Sequence, residues 1–363
     1  MSRENVFNFS AGPSMLPLPA LERAQADLLD YAGSGMSVME MSHRSSIYQK
    51  IFDETKAKFR TVLKVPETHE ILFLQGGAST QFSMVPLNLM GENGCADYAL
   101  TGNFSTIAAK EAKKYGRVNI AASTEACNHT RIPEQSELVL TPDASYFHYC
   151  ANNTIFGTEW KYVPETGSVP LVSDMSSDIL SRPVDVSRYG IIYAGAQKNM
   201  APSGVTVVVI DKKLAGHELP ITPLMMSYKL MIDKDSMYNT PPCWCIYMLG
   251  LTLDWLLEQG GVEGMEAIKR ERAKLLYDYL DESRLFRGCA EPASRSDMNV
   301  TFRTDSDETD KEFVAAATAH GLLNLKGHRL VGGLRASIYN AMPMEGVKTL
   351  VEFMKDFEVS KRV

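Results

Sequence analysis

Positive charge is in deficit in this sequence: 37 Lys and Arg stand against 44 Asp and Glu, leaving a formal charge of −7. A chain without a basic excess has little with which to neutralise a phosphate backbone, so nucleic acid is excluded as its main partner. No apolar run approaches the roughly 20 residues of a membrane helix. The opening Met1-Ser-Arg-Glu-Asn5 leads into no long apolar stretch of the signal-peptide kind. Cysteine is sparse, six in 363 residues, scattered at 95, 127, 150, 243, 245 and 289, so no disulfide framework is expected. Cys243-Trp-Cys245 lacks the second pair that a structural zinc site needs. These absences predict a reduced, cytoplasmic protein that binds no membrane and no metal.

What is present is ordinary globular composition, 45% hydrophobic and 22% charged, long enough at about 150 residues per domain for two domains. Prolines 17 and 19 open a helical pattern over 17–32, and a second amphipathic helix is predicted over 46–64. Short apolar runs then recur at 70–75, 97–101, 117–121, 145–150, 169–173, 189–194 and 204–210, with helices at 80–90 and 104–115. Strands interleaved with helices predict an α/β fold: a seven-stranded, mostly parallel sheet with helices on both faces. After Pro241-Pro242 one long helix is expected over 243–283. Strands at 298–303 and 333–339 then alternate with helices at 309–320 and 345–357, the pattern of a small C-terminal α+β domain. The expected division is an N-terminal segment 1–16, a large domain 17–258 and a small domain 259–363.

In such sheets ligands gather at the carboxyl ends of the strands, and four features fall at or near such positions. Gln75-Gly-Gly-Ala-Ser-Thr80 ends a strand with small residues that open a helix, where bare N–H groups and the helix dipole favour an anion. It matches neither the dinucleotide G-x-G-x-x-G nor the P-loop pattern, and it is equally an ordinary strand-turn-helix. Asp174 follows an apolar strand, where a carboxylate needs either a cation or the backbone donors of a cap. Lys198 sits in an Ala/Gly/Gln/Asn loop between two strands; desolvated, it becomes a nucleophile able to form a Schiff base. Ser42-His-Arg44, Gly327-His-Arg329 and Arg335 offer guanidinium forks for carboxylate or phosphate, and each separately is also compatible with solvated surface. A lysine, an acid, an anion cradle and substrate arginines together describe a pyridoxal-phosphate site.

The order of several long strings carries the point further: Asn8-Phe-Ser-Ala-Gly-Pro13, Met41-Ser-His-Arg44, Gln81-Phe-Ser-Met-Val-Pro-Leu-Asn-Leu89, Asp174-Met-Ser-Ser-Asp-Ile-Leu-Ser-Arg-Pro183, Tyr193-Ala-Gly-Ala-Gln-Lys-Asn199, Tyr238-Asn-Thr-Pro-Pro242 and Gly332-Gly-Leu-Arg-Ala-Ser-Ile-Tyr-Asn-Ala-Met342. Nearly end to end, the sequence resembles the phosphoserine aminotransferase family of fold-type I pyridoxal-phosphate enzymes. The resemblance implies an aspartate-aminotransferase-like fold and a homodimer with shared sites. Lys198 would bond the cofactor aldehyde, Asp174 would pair the ring nitrogen, and Gly77, Ala78 and Ser79, with Gln197, would hold the phosphate. Asn239 and Thr240 would reach that phosphate from the other subunit, and Thr154 would approach the phenolic oxygen. Arg335 would take the substrate α-carboxylate. Arg44, His43, His328 and Arg329 would take the distal phosphate, or the γ-carboxylate of glutamate.

The implied reaction is the reversible ping-pong conversion of 3-phosphohydroxypyruvate and L-glutamate to O-phospho-L-serine and 2-oxoglutarate in serine biosynthesis, with 4-phosphohydroxy-L-threonine as a related substrate. Two positions depart from the common pattern. Phe104 stands where the ring-stacking residue is usually Trp, and the Gly-Gly-Ala-Ser-Thr loop leaves either Ser79 or Thr80 to serve the phosphate. Rival readings are a cysteine desulfurase using Cys243 or Cys245, a decarboxylase of the same fold, a nicotinamide dehydrogenase without its fingerprint, and a cofactor-free scaffold.

Overall fold

The computed structural model describes residues 3–92 and 94–361. Its centre is a seven-stranded sheet built from β1 (His69–Leu74), β2 (Cys95–Leu100), β3 (Arg117–Ser123), β4 (Phe147–Cys150), β5 (Leu171–Asp174), β6 (Ile191–Gly195) and β7 (Thr206–Asp211). The spatial order is β1-β7-β6-β5-β4-β2-β3, with β7 antiparallel to both neighbours and the other pairings parallel. Each of the seven apolar runs is one of these strands. They read as continuous runs because both faces are covered: Val207 and Val209 join one core cluster, Val208 and Ile210 the other.

Helices α1 (Leu18–Ala26) and α2 (Ser46–Leu63) lie on one face, α3 (Gly77–Leu89) and α4 (Asn103–Ala112) on the other. In α2 the Ser45 hydroxyl accepts from Tyr48 N at 3.3 Å, and Lys64 closes the helix in the left-handed region at φ 52°. Its buried residues Tyr48, Ile51, Phe52, Thr55, Phe59 and Val62 recur at helical spacing, and each large apolar one contributes about 1.5–3 kcal/mol.

Two helix expectations need correction. The 17–32 pattern is helical only through Ala26. Asp27 turns inward to accept from Tyr247 Oη at 2.6 Å and Arg23 Nε at 2.9 Å, and the chain then reverses through Ala32 and Gly33 at positive φ. The single helix over 243–283 is two, α5 (Cys243–Glu258) and α6 (Gly261–Glu282), broken where Gly260 and Gly261 take φ of 88° and 68°.

Beyond α6 come β8 (Arg287–Gly288), β9 (Asn299–Arg303), α7 (Asp307–Ala319), β10 (Leu334–Ser337) and α8 (Met344–Ser360), the three strands pairing antiparallel in the order β8-β9-β10. A separate apolar cluster joins Phe9 to residues of these elements. The short strand Phe7–Asn8 pairs in parallel with Leu322–Leu323, fastening the start of the chain beside that cluster.

Candidate active site

The carboxyl ends of β5 and β6 bring the acid and the lysine together. Asp174 is the last residue of β5 and pairs in register with Cys150 of β4 and Tyr193 of β6. It is buried, and its Oδ1 accepts from Ser176 N at 2.9 Å, the local turn that its side chain caps. The Ser176 side chain adds a second hydrogen bond to the same carboxylate. Burial raises the Asp174 carboxyl above the usual range, while the Ser176 hydrogen bonds and the charge of Lys198 pull the other way.

Lys198 lies in the tight turn between β6 and β7. Its Nζ donates to Thr154 Oγ1 at 2.7 Å and lies 5.4 Å from the centroid of the Phe104 ring. Desolvation lowers its pKa to about 8; the charge of Asp174 opposes this and that of Arg335 adds to it. A substantial neutral fraction near physiological pH is what a nucleophilic amine requires. The rate at which the apoprotein takes up pyridoxal phosphate is therefore expected to rise with pH and level off above about 8, read by stopped-flow absorbance. A rate flat across that range would show the amine already fully neutral or fully charged.

The lysine loop is braced by residues that carry no role in the sequence pattern. Ser14 Oγ donates to the Lys198 carbonyl, and Ser14 N donates to Gln197 O at 3.0 Å. A Cβ on Gly12 would meet Lys198 Cγ at 3.1 Å, so the N-terminal Ser-Ala-Gly-Pro string closes directly over the lysine stem. The string was visible in the sequence, but a clamp between residues so distant in the chain was not.

The phosphate cradle also takes shape. Gly76 enters α3 at φ 90° with no side-chain cap, leaving the first N–H groups at Gly77, Ala78 and Ser79 without one. The Thr80 hydroxyl donates back to Gly76 O at 3.0 Å, whereas exposed Ser79 makes no side-chain hydrogen bond among the described residues. Gln197 folds its amide against Gly195, next to the lysine. Thr240 O accepts from Gln75 Nε2 at 2.9 Å, which places exposed Asn239 and Thr240 beside the glycine turn of their own chain.

On the substrate side, Arg335 of β10 donates from Nη1 to Thr154 O at 3.3 Å, and its Nε is unpartnered among the described residues. His328 is held below its ordinary pKa by burial, then by the charges of Arg335 and Arg329, so these three side chains share one electrostatic neighbourhood. His328 and Arg329 sit on a turn closed by Gly327 N donating to Gly333 O at 2.8 Å, and Arg335 follows it in β10. His43 and exposed Arg44 lie just before α2, and no hydrogen bond joins their side chains to Lys198, Thr154 or Arg335 among the described residues.

The residues present fit pyridoxal phosphate. Asp174 offers a buried carboxylate to pair a protonated ring nitrogen, Lys198 an amine for the aldehyde, Phe104 a flat apolar face, and α3 an uncapped N-terminus for the phosphate. The rival thiols do not fit a catalytic role. Burial raises the pKa of both Cys243 and Cys245, against the need of a nucleophilic thiol, and Cys245 Sγ contacts Ser203 O at 3.3 Å. Among the described residues no His/Cys/Asp/Glu cluster could hold a metal, and no helix is long and apolar enough to cross a membrane.

Comparison with known proteins agrees with this geometry. The aminotransferase class-V family pattern matches residues 6–350. A phosphoserine aminotransferase of Pseudomonas syringae pv. tomato is 53% identical over 355 residues, covering 98% of each chain. Among solved structures, phosphoserine aminotransferase from Bacillus circulans subsp. alkalophilus superposes with TM-score 0.97 at 49% identity, covering 99% of both chains. A pyridoxal-phosphate-bound phosphoserine aminotransferase from Trichomonas vaginalis superposes with TM-score 0.93 at 40% identity, covering 96% of this chain and 99% of that one. The chain belongs to the class-V aminotransferases, in the phosphoserine aminotransferase family, and is a pyridoxal-phosphate-dependent transaminase.

Proposed function

We propose that the enzyme interconverts O-phospho-L-serine and 2-oxoglutarate with 3-phosphohydroxypyruvate and L-glutamate, reversibly and by a ping-pong route, as a cytoplasmic homodimer in serine biosynthesis. The observation that carries this reading is the chain of contacts from Lys198 Nζ to Thr154 Oγ1 and from Thr154 O to Arg335. It sets a lysine amine and a guanidinium able to fork a carboxylate on either side of one residue, which are the two groups that an α-amino acid must meet.

Bound there, pyridoxal phosphate supplies an electron sink for the pair left at the substrate Cα. Asp174 holds a proton on the ring nitrogen through its opposite charge. Lys198, whose amine donates to Thr154, removes the Cα proton and returns one during the second half-reaction. Ser79, rather than the engaged Thr80, donates to the cofactor phosphate with the N–H groups of Gly77 and Ala78, and Gln197 stands alongside. Arg335 fixes the α-carboxylate. His328 and Arg329 bind the distal phosphate, and the same forks accept the γ-carboxylate of glutamate because both anions match a guanidinium. Asn239 and Thr240 complete the site of a second copy. Arg44 and His43, whose side chains hydrogen-bond none of these groups among the described residues, reach the distal anion from that second copy. The distal phosphate of 4-phosphohydroxy-L-threonine meets the same groups, which makes it a second substrate.

The test is the visible absorbance of the holoenzyme: O-phospho-L-serine should bleach it and 2-oxoglutarate restore it. A spectrum that ignores phosphoserine but responds to another amine overturns the substrate. Arg329→Ala is expected to raise KM for phosphoserine by about 10- to 100-fold, the worth of a hydrogen bond to a charged group, while serine is scarcely affected. Equal penalties on the two amines would remove Arg329 from phosphate recognition.

A further inference from the structure

A second cationic cavity lies on the far side of the turn that carries His328 and Arg329. It encloses about 540 Å³ between Asn128, Thr130 and Phe156 on one wall and β8, β9 and residues 330–334 on the other. Two of its lining residues, Arg287 and Arg303, are charged, and both are positive. They are direct partners across the antiparallel β8-β9 pair, a placement in which like charges repel. Neighbouring Arg295 is neutralised by Asp281 at 2.5 Å, but neither Arg287 nor Arg303 forms an ion pair among the described residues. Glu291 accepts from Thr130 Oγ1 at 3.2 Å and pairs with neither arginine among the described residues. Arg303 donates from Nη2 to Val331 O at 2.9 Å and also hydrogen-bonds the Cys289 thiol.

This space is separate from the lysine site. The Thr301 hydroxyl donates to Phe156 O at 3.0 Å, and a Cβ on Gly157 would strike that hydroxyl. The 154–157 turn is thereby pressed on β9 between Arg335, which contacts Thr154, and the Arg287–Arg303 pair.

Two guanidiniums paired across the sheet without an ion-pair partner among the described residues, beside the apolar sides of Phe156, Leu330 and Leu334, form a receptor for one doubly charged group with a small apolar body. We propose that this cavity binds a phosphate monoester at Arg287 and Arg303, one molecule per chain, independently of the catalytic site. Its occupant lies against the backbone behind the distal-anion turn and competes with Val331 O for Arg303.

Phenyl phosphate, which has no amine to react, is the probe, measured by equilibrium dialysis against the holoenzyme. Two equivalents per chain are expected. Arg329→Ala should weaken one of them; exposed Arg287→Met should weaken the other about tenfold or more, the loss of one charged fork. Arg287→Met should leave the cofactor absorbance and KM for phosphoserine unchanged. Competition by inorganic phosphate but not by phenol assigns recognition to the phosphoryl group; competition by phenol alone overturns it. A single equivalent in the wild-type protein, or a second one that survives Arg287→Met, overturns the proposal. If phosphoserine fails as a substrate while the Arg287-sensitive equivalent remains, the catalytic reading falls and this site stands.

Discussion

Lys198→Ala is expected to lower transamination by at least about ten-thousandfold, because proton transfer at Cα and covalent capture of the cofactor both pass through one amine. The variant should still fold. In the apoprotein Lys198 is a desolvated group with its pKa brought down to about 8, so its charged form is disfavoured by the native state and its removal relieves that cost. The lost contacts are the 2.7 Å hydrogen bond to Thr154 and the stem against Gly12. Thermal denaturation within a few degrees of wild type, together with absent turnover, separates chemistry from folding. Normal turnover would mean that another group serves as nucleophile and base.

Asp174→Asn should cost about a thousandfold in kcat, the scale of removing one preorganised electrostatic partner from a buried site. Asparagine keeps the shape and can still accept from Ser176 N, but carries no charge to hold a proton on the ring. Two accompanying signs test the cause. Asp174 is the largest influence raising the Lys198 pKa, so its neutralisation drops that pKa further, and the pH at which cofactor uptake levels off moves down. Burial also raises the carboxyl of Asp174, so replacing it with a neutral amide should leave the apoprotein at least as resistant to heat. A kcat loss without the shift in uptake would assign Asp174 a merely structural place.

The large sheet was legible because doubly covered strands leave short apolar runs ended by something small or polar, four apolar residues in a row at β1, β6 and β7. Strand order was not, since nothing local to β7 says that it runs opposite to β1 and β6. The boundary between α5 and α6 escaped because apolar spacing continues across Gln259-Gly260-Gly261, although adjacent glycines at positive φ are strong breakers. The chemistry-bearing residues could be read one by one, since lysine and aspartate at strand ends are conspicuous. Their supports were hidden. Ser14 under Lys198 and Thr154 between Lys198 and Arg335 are contacts between remote segments, which composition and periodicity cannot reveal. The same holds for Arg287 and Arg303, ordinary surface arginines until the register of two short strands sets them face to face.

The pairing of Phe7–Asn8 with Leu322–Leu323 bears on how the molecule is made. Synthesis delivers the two strands at opposite ends of its timetable, so the earliest segment must wait on the ribosome for the latest. The central sheet has all its strands once residue 211 has emerged and is free to assemble. Phe9 finds its apolar cluster only after the C-terminal elements arrive, whereas Ser14 and the Lys198 carbonyl that it braces are both made before them. The first strand is therefore fastened late, against a central sheet that is free to have formed already.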